Sequence, residues 1–416
     1  VERCRSACFK KQLFCPHPQG GGAPLSFSPG GFLRAGRRVP VVVSVFVLNR
    51  YALQPLSLFL SAIRELTLAG KCRLLANPAR ARWQRAGSVK KLGGNMRALL
   101  FAILLALSPS LASAQTYPDR TITVVVPFSA GGPTDTVTRL LGEAMSKDLG
   151  QQIIVENVGG AGGTLGAAHV AKADPDGYTL LVHHIGMATS ATLYRKLPFN
   201  ALEDFAYVGL ITDVPMVLVA RKDFEPGDLK SLIDYVKANK DKVTYANAGI
   251  GAASHLCGML FMTEIGTPLT TVPYKGTGPA LTDLIGGQVD FMCDQTTNTT
   301  NQIKAGEIKA YAVTTKERLQ TLPDIPTGAE GGLPGLEVTV WHGLYAPKGT
   351  PADVIDRLSG ALKKALQDET VIARLADLGT APVPEDQATP DALKQKLASE
   401  IERWRPIITA AGQYAD

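Results

Sequence analysis

The sequence predicts an α/β protein built on parallel sheets flanked by helices. Three observations carry this expectation. Strand-like and helix-like segments alternate from residue 121 to near the C-terminus. The strand-like runs are short and rich in Val and Ile, as in Ile122 to Val126 and Ile153 to Val155. Four of the runs end in loops that mix Gly with Ser, Thr or Ala, each placed ahead of a helical pattern.

The alternation does not begin at residue 1. The chain has 416 residues and a formal net charge of +6, but its charge is unevenly placed. Residues 1–95 hold sixteen Lys or Arg against Glu2 and Glu65, and four of the six cysteines without a full metal-site pattern. Arg97, the apolar run Ala98 to Leu107 and the small-residue site Ala112-Ser113-Ala114 make residues 96–114 a secretory signal peptide, cleaved before Gln115. A signal peptide normally stands at an N-terminus, so residues 1–95 read as a translated leader or a disordered basic extension. The apolar run is too short to span a bilayer, and Gln115 is not the Cys of a lipoprotein. Residues 1–114 contain 17 of the 43 basic residues and two of the 37 acidic ones, so the remainder carries 26 against 35, a net −9. An acidic exported chain of about 300 residues is long enough for two cores and argues against nucleic-acid binding.

The first unit of that remainder runs from Thr121 to Met145. The strand Ile122 to Val126 breaks into a small-residue loop with Gly131 and Gly132, then resumes as a helix with Val137, Leu140, Leu141, Ala144 and Met145 on one face. A glycine loop at a helix N-terminus presents free backbone N–H groups to an anion, and this loop has no Arg, Lys or His. A second strand and helix come next, then a third strand, Tyr178 to His183. Residues 207–211 and 216–220 read as two further strands. The next set alternates helices at 229–239, 254–264 and 279–285 with strands at 243–245, 269–272, 289–293 and 309–314. Residues 322–335 form a Pro- and Gly-rich connector. A strand at 341–346 precedes a helix expected to use Thr350 as N-cap, Pro351 at N1 and Asp353 at N3. Helices near 393–397 and 402–411 close the chain.

The Gly-rich loops at 127–135, 159–164, 248–254 and 274–279 all fall after strands. One such loop is an ordinary tight turn, whereas four of one design point to a cleft. Enzyme motifs are missing. No G-x-S-x-G, Walker A, H-E-x-x-H or C-x-x-C occurs, and Gly249-Ile250-Gly251 has Ser254 where a dinucleotide fingerprint needs its third Gly. His183 and His184 are adjacent, so on a strand they should point to opposite faces. Ser254 and His255 suggest a nucleophile and base, but neighbours on a helix do not face each other. Ser254 is read as a helix cap and His255 as a packed or ligand-lining side chain. Asp135 is read as a carboxylate favoured by the helix dipole, or as a loop organiser or amine partner. Cys257 and Cys293 form a disulfide or remain two buried thiols; the sequence leaves both open.

The blocks PFSAGGPTD, YANAGIGAASHLCG, VPYKGTGPALTDLIGGQVD, LPDIPTGAEGGLPG and WHGLYAPKGTP occur in order from about Tyr117 onward. In these the chain resembles the periplasmic solute-binding proteins of tripartite tricarboxylate transporters, the Bug family; residues 1–95 have no counterpart there. The resemblance implies a type II periplasmic-binding-protein fold of two lobes, each with a mainly parallel sheet flanked by helices and a ligand cleft between them. Lobe 1 would comprise 117–217 plus 338–416, and lobe 2 would comprise 218–337. It implies a monomeric, non-enzymatic receptor with no cofactor or metal. Such a receptor captures a small carboxylate by hinge closure and delivers it to large and small integral membrane permease subunits. By position it assigns ligand binding to Phe128, Ser129, Ala130, Gly131, Gly132 and Asp135. Gly162, Gly163 and His184 lie nearby, and Ala252, Ser254, His255, Thr277 and Asp294 come from the other lobe. Lys275 is read as a surface or hinge-side residue. Two rival functions stay open at this point: an exported hydrolase using Ser254 and His255, and a ligand sensor for a membrane signalling partner.

Overall fold

A computed structural model describes residues 117–412 and 414–415. The leader and signal-peptide expectations lie outside these residues. In chain order the elements are β1 (Ile122–Val126), α1 (Pro133–Leu149), β2 (Ile153–Asn157), a 3-10 turn (Ala161–Gly163), α2 (Thr164–Ala171), β3 (Thr179–His184) and α3 (Gly186–Leu193). Next come β4 (Phe205–Arg221), α4 (Leu229–Ala238), β5 (Thr244–Asn247), α5 (Ala253–Ile265), β6 (Thr270–Pro273), α6 (Thr277–Ile285), β7 (Phe291–Gln295), α7 (Thr296–Lys304) and β8 (Ile308–Val313). The last elements are β9 (Thr339–Pro347), α8 (Ala352–Leu366), α9 (Glu369–Asp377) and α10 (Pro390–Ala411).

The strands run in the order β2-β1-β3-β9-β4-β7-β5-β6, with β8 also paired to β4. The pairs β1/β2, β1/β3, β5/β6 and β5/β7 are parallel, and every pair involving β4 or β9 is antiparallel. The parallel units carry the Gly-rich loops, and β4 joins them. Its first part, through Pro215, pairs with β9; from Met216 it pairs with β7 and β8. The sequence reads this segment as two strands, because Pro lacks an N–H for the ladder. Pro215 falls where β4 changes partner, so one long strand tolerates it.

The core follows the expected faces. Helix α1 buries Val137, Leu141, Met145 and Leu149 in one cluster with Ile122 and Val124 of β1 and Leu358 and Leu362 of α8. Each fully buried side chain of this size contributes about 1.5–3 kcal/mol. Cys257 of α5 and Cys293 of β7 are joined by a disulfide with a Cα–Cα distance of 6.1 Å.

Several elements differ from expectation. Helix α7 lies where no helix was expected, because Thr-Thr-Asn-Thr-Thr-Asn has poor helix propensity. Its threonines are buried against other segments, and Thr299 Oγ1 donates back to the Gln295 carbonyl at 3.1 Å. Helices α3 and α9 are likewise absent from the sequence reading. Helix α10 is continuous and keeps Pro406 within it. At α8 the N-cap is Pro351, whose ψ of 145° is extended, and Thr350 Oγ1 donates to the Pro347 carbonyl instead of capping.

Candidate functional site

The loops after β1, β2, β5 and β6 all leave the carboxyl ends of parallel strands, and loops from the two sides of β4 touch. Ser129 N–H donates to the Lys275 carbonyl at 2.9 Å. Tyr194 Oη donates to the Ile250 carbonyl at 2.9 Å and Thr189 Oγ1 to the Gly251 carbonyl at 3.0 Å. Beside these contacts lies a cavity walled by Phe128, Gly132, Pro133, Thr134, His184, Ala248, Ala252, Ala253, Ser254, Thr277, Asp294 and Gln295. Its space, mouth and open solvent included, is about 280 Å³.

Four helices start at this cavity. Their N-caps are Gly132 for α1, Ala252 for α5, Gly276 for α6 and Gln295 for α7, and none supplies a side-chain cap. The first N–H groups of each helix therefore have no partner of their own, and the positive ends of four helix dipoles converge. No Lys or Arg is among the walls. Such a set of neutral donors accommodates a small anion.

The first loop is shaped from behind by Asp135. Its Oδ2 accepts from Gly131 N–H at 3.0 Å and from Arg139 Nε at 2.9 Å, and its Oδ1 accepts from Asn157 Nδ2 at 2.9 Å. Burial alone would raise this carboxyl, but the bonds from Arg139, Gly131 and Asn157 outweigh it and hold the pKa below the ordinary value. The Phe128 ring stacks on His184, with centroids 4.5 Å apart, and meets His183 edge-on at 5.7 Å. Both rings thus reach Phe128, although strand alternation would separate them, because the backbone turns helical at Ile185 directly after β3. Gly163, at φ +101°, closes the second loop against this cluster; a Cβ there would lie 2.9 Å from Phe128 Cζ.

The histidines are neutral donors. His183 Nδ1 accepts from His184 N–H at 2.8 Å and His184 Nδ1 accepts from Gly186 N–H at 2.9 Å, which leaves the proton on Nε2 in each ring. Burial, reinforced by the neighbouring rings, pulls His183 down to about 3 and His184 well below its ordinary value. Burial also lowers His342 to about 4; its Nε2 lies 3.2 Å from Thr134 Oγ1.

On the other side, Ser254 Oγ accepts from Ala248 N–H at 2.8 Å, which corrects its reading as a helix cap. His255 Nδ1 accepts from Gly251 N–H at 3.4 Å. Each side chain braces the loop before α5. Asp294 is 1% exposed; its Oδ1 accepts from Gln295 N–H at 2.8 Å and its Oδ2 from Asn298 Nδ2 at 2.5 Å. Burial raises this carboxyl to about 6, against the bonds that favour its charge. Thr277 lies close enough to help hold that charge, yet its buried Oγ1 finds no partner at bonding geometry.

Of the residues assigned from sequence, Phe128, Gly132, His184, Ala252, Ser254, Thr277 and Asp294 line the cavity. Ser129, Ala130, Gly131, Asp135, Gly162, Gly163 and His255 stand behind or beside the walls, and Lys275 is exposed. Pro133, Thr134, Ala248, Ala253 and Gln295 also line it and escape the sequence reading. Thr134 was within reach of the sequence, since a Gly-Pro helix start makes the next residue the first with a free N–H. Gln295 was not, because nothing in the sequence marks the start of α7.

A family model described as the tripartite tricarboxylate transporter family receptor matches residues 137–413. The UPF0065 protein of the TAR-I ttuE-ttuC' intergenic region of Agrobacterium vitis is 56% identical over 320 residues, 77% of this chain and 92% of that protein. Among solved structures, the periplasmic binding protein BugD is 49% identical with a TM-score of 0.71, over 72% of this chain and 100% of that one. MatC from Rhodopseudomonas palustris with bound malate is 45% identical with a TM-score of 0.69, over 70% of this chain and 100% of that one.

Proposed function

The chain belongs to the tripartite tricarboxylate transporter receptors, a family of periplasmic solute-binding proteins, and from that premise we propose that it captures a small organic acid by lobe closure and passes it to membrane permease subunits. The observation that carries the proposal is the convergence of four uncapped helix N-termini on a cavity whose walls contain no Lys or Arg. Phosphate-sized charge is usually met by Arg or Lys; one carboxylate suits neutral donors. The malate bound to MatC supports an acid of this size.

The proposed lobes are 117–217 with 338–416, and 218–337. Lobe 1 offers the start of α1 and the Nε2–H of His184 to the carboxylate. Lobe 2 offers Ala252, Ser254, Thr277 and Asp294 to the rest of the molecule. The change of partner along β4 at Pro215 and Met216 is where the lobes turn. A ligand touching both lobes favours the closed form by its extra contacts there. Ser254 and His255 brace a loop in this reading, and the receptor does no chemistry; ester turnover that vanishes in Ser254→Ala would overturn that point. The test of the main reading is a thermal-shift panel of carboxylates on the protein purified after export. Saturating acid at about 100 times its Kd adds about 2.7 kcal/mol of stability, a shift of several degrees. No response to any carboxylate would contradict the proposal.

A further inference from the structure

The cavity has two chemically different walls. One offers donors: the start of α1 and the imidazole Nε2–H of His184. The other, besides the starts of α5, α6 and α7, carries buried acceptors. Asp294 is fully buried, and its carboxylate receives one hydrogen bond at each oxygen, from Gln295 N–H and Asn298 Nδ2, where about four lone-pair positions are available. Among the described residues no Lys, Arg or His lies within ion-pair distance of it. Gln295 Oε1, on the same wall, is buried without a partner among the described residues. A buried acceptor left unpaired is unfavourable, so Gln295 Oε1, beside an Asp294 carboxylate with lone-pair positions to spare, calls for donors on the ligand.

We infer that Asp294 and Gln295 form an acceptor wall that selects acids bearing a hydrogen-bond donor, a hydroxyl or an ammonium group, next to the carboxylate over plain dicarboxylates. The inference rests on the carboxylate pocket proposed above. An acid with only carboxylates turns negative charge towards Asp294 and leaves Gln295 Oε1 unpaired. A hydroxyl donates one hydrogen bond there, and an ammonium donates several and adds opposite charge. Sites built to bond a ligand OH or NH discriminate strongly against the analogue that lacks it.

The test is calorimetric titration of the exported protein with malate, aspartate and succinate, three acids of the same chain length. Malate or aspartate is expected to bind at least about 100-fold more tightly than succinate. In Asp294→Asn, checked for folding by its melting curve, that ratio is expected to drop below about tenfold, with succinate binding more tightly than in the wild type. Succinate binding within threefold of both donor-bearing acids in the wild type overturns the inference and leaves the carboxylate receptor standing. Strong discrimination that persists unchanged in Asp294→Asn overturns the assignment to Asp294. Failure of every carboxylate to bind overturns the receptor reading and this inference together.

Discussion

At the scale of single residues, the Asp294 carboxyl and the imidazoles of His183, His184 and His342 respond to pH in opposite senses. Asp294 has a folded pKa of about 6 against an ordinary 3.8. Between these values the folded state binds more protons than the unfolded one, so its contribution falls as pH rises through the window. The full loss above pH 6 is on the order of 3 kcal/mol. Asp294→Asn should therefore stabilise the ligand-free protein in urea at pH 8, by up to that amount, and should do little at pH 3.5; a destabilised variant at pH 8 would contradict this. His183 and His342 run the other way, with folded values of about 3 and about 4. Their stability is present above pH 6.5 and is lost on acidification, because the unfolded state takes up protons first. His184 adds to the same trend. Three imidazoles outweigh one carboxyl, so the urea midpoint should be lower at pH 5 than at pH 7, and an equal or higher midpoint at pH 5 would refute the assignment. Seven of the fourteen assigned ligand residues line the cavity. The other seven, such as Asp135 and Gly163, stand behind the walls, because a sequence motif marks a loop without saying which of its atoms face inward.

At the scale of elements, the two sides of the cavity meet through glycines. A Cβ at Gly278 would lie 3.0 Å from the Ala130 carbonyl and 3.1 Å from Gly132 N, and one at Gly276 would lie 2.7 Å from Ser129 N. Gly276 has an extended φ of 162°, which any residue adopts. The clash therefore belongs to the approach of the loops and not to the backbone. Gly278→Ala and Gly276→Ala should weaken binding of a captured acid at least tenfold, about 1.4 kcal/mol, while the ligand-free melting temperature moves by no more than about 2 °C. Unchanged affinity in both variants would show that these loops need not come together. The strand-to-helix units and their Gly loops were legible because periodicity and Gly placement are local signals. Helix α7 was not, since its threonines become helical only through burial against the rest of the fold. The single long β4 was hidden by Pro215, whose tolerance depends on the strand's neighbours.

At the scale of the whole molecule, the chain's two groups of strands share β4, and the proposed lobes turn about it. The contacts Ser129 to Lys275, Tyr194 to Ile250 and Thr189 to Gly251 span the two groups. Ligand contacts on both sides add to these and shift the balance between apart and together. A permease that reads the closed receptor would then distinguish loaded from empty. Closure is the claim on which capture and delivery both depend. Small-angle X-ray scattering of the exported protein, with and without saturating malate, tests it most directly. Malate should give a smaller radius of gyration, and an unchanged scattering curve under conditions where calorimetry shows malate bound would contradict closure.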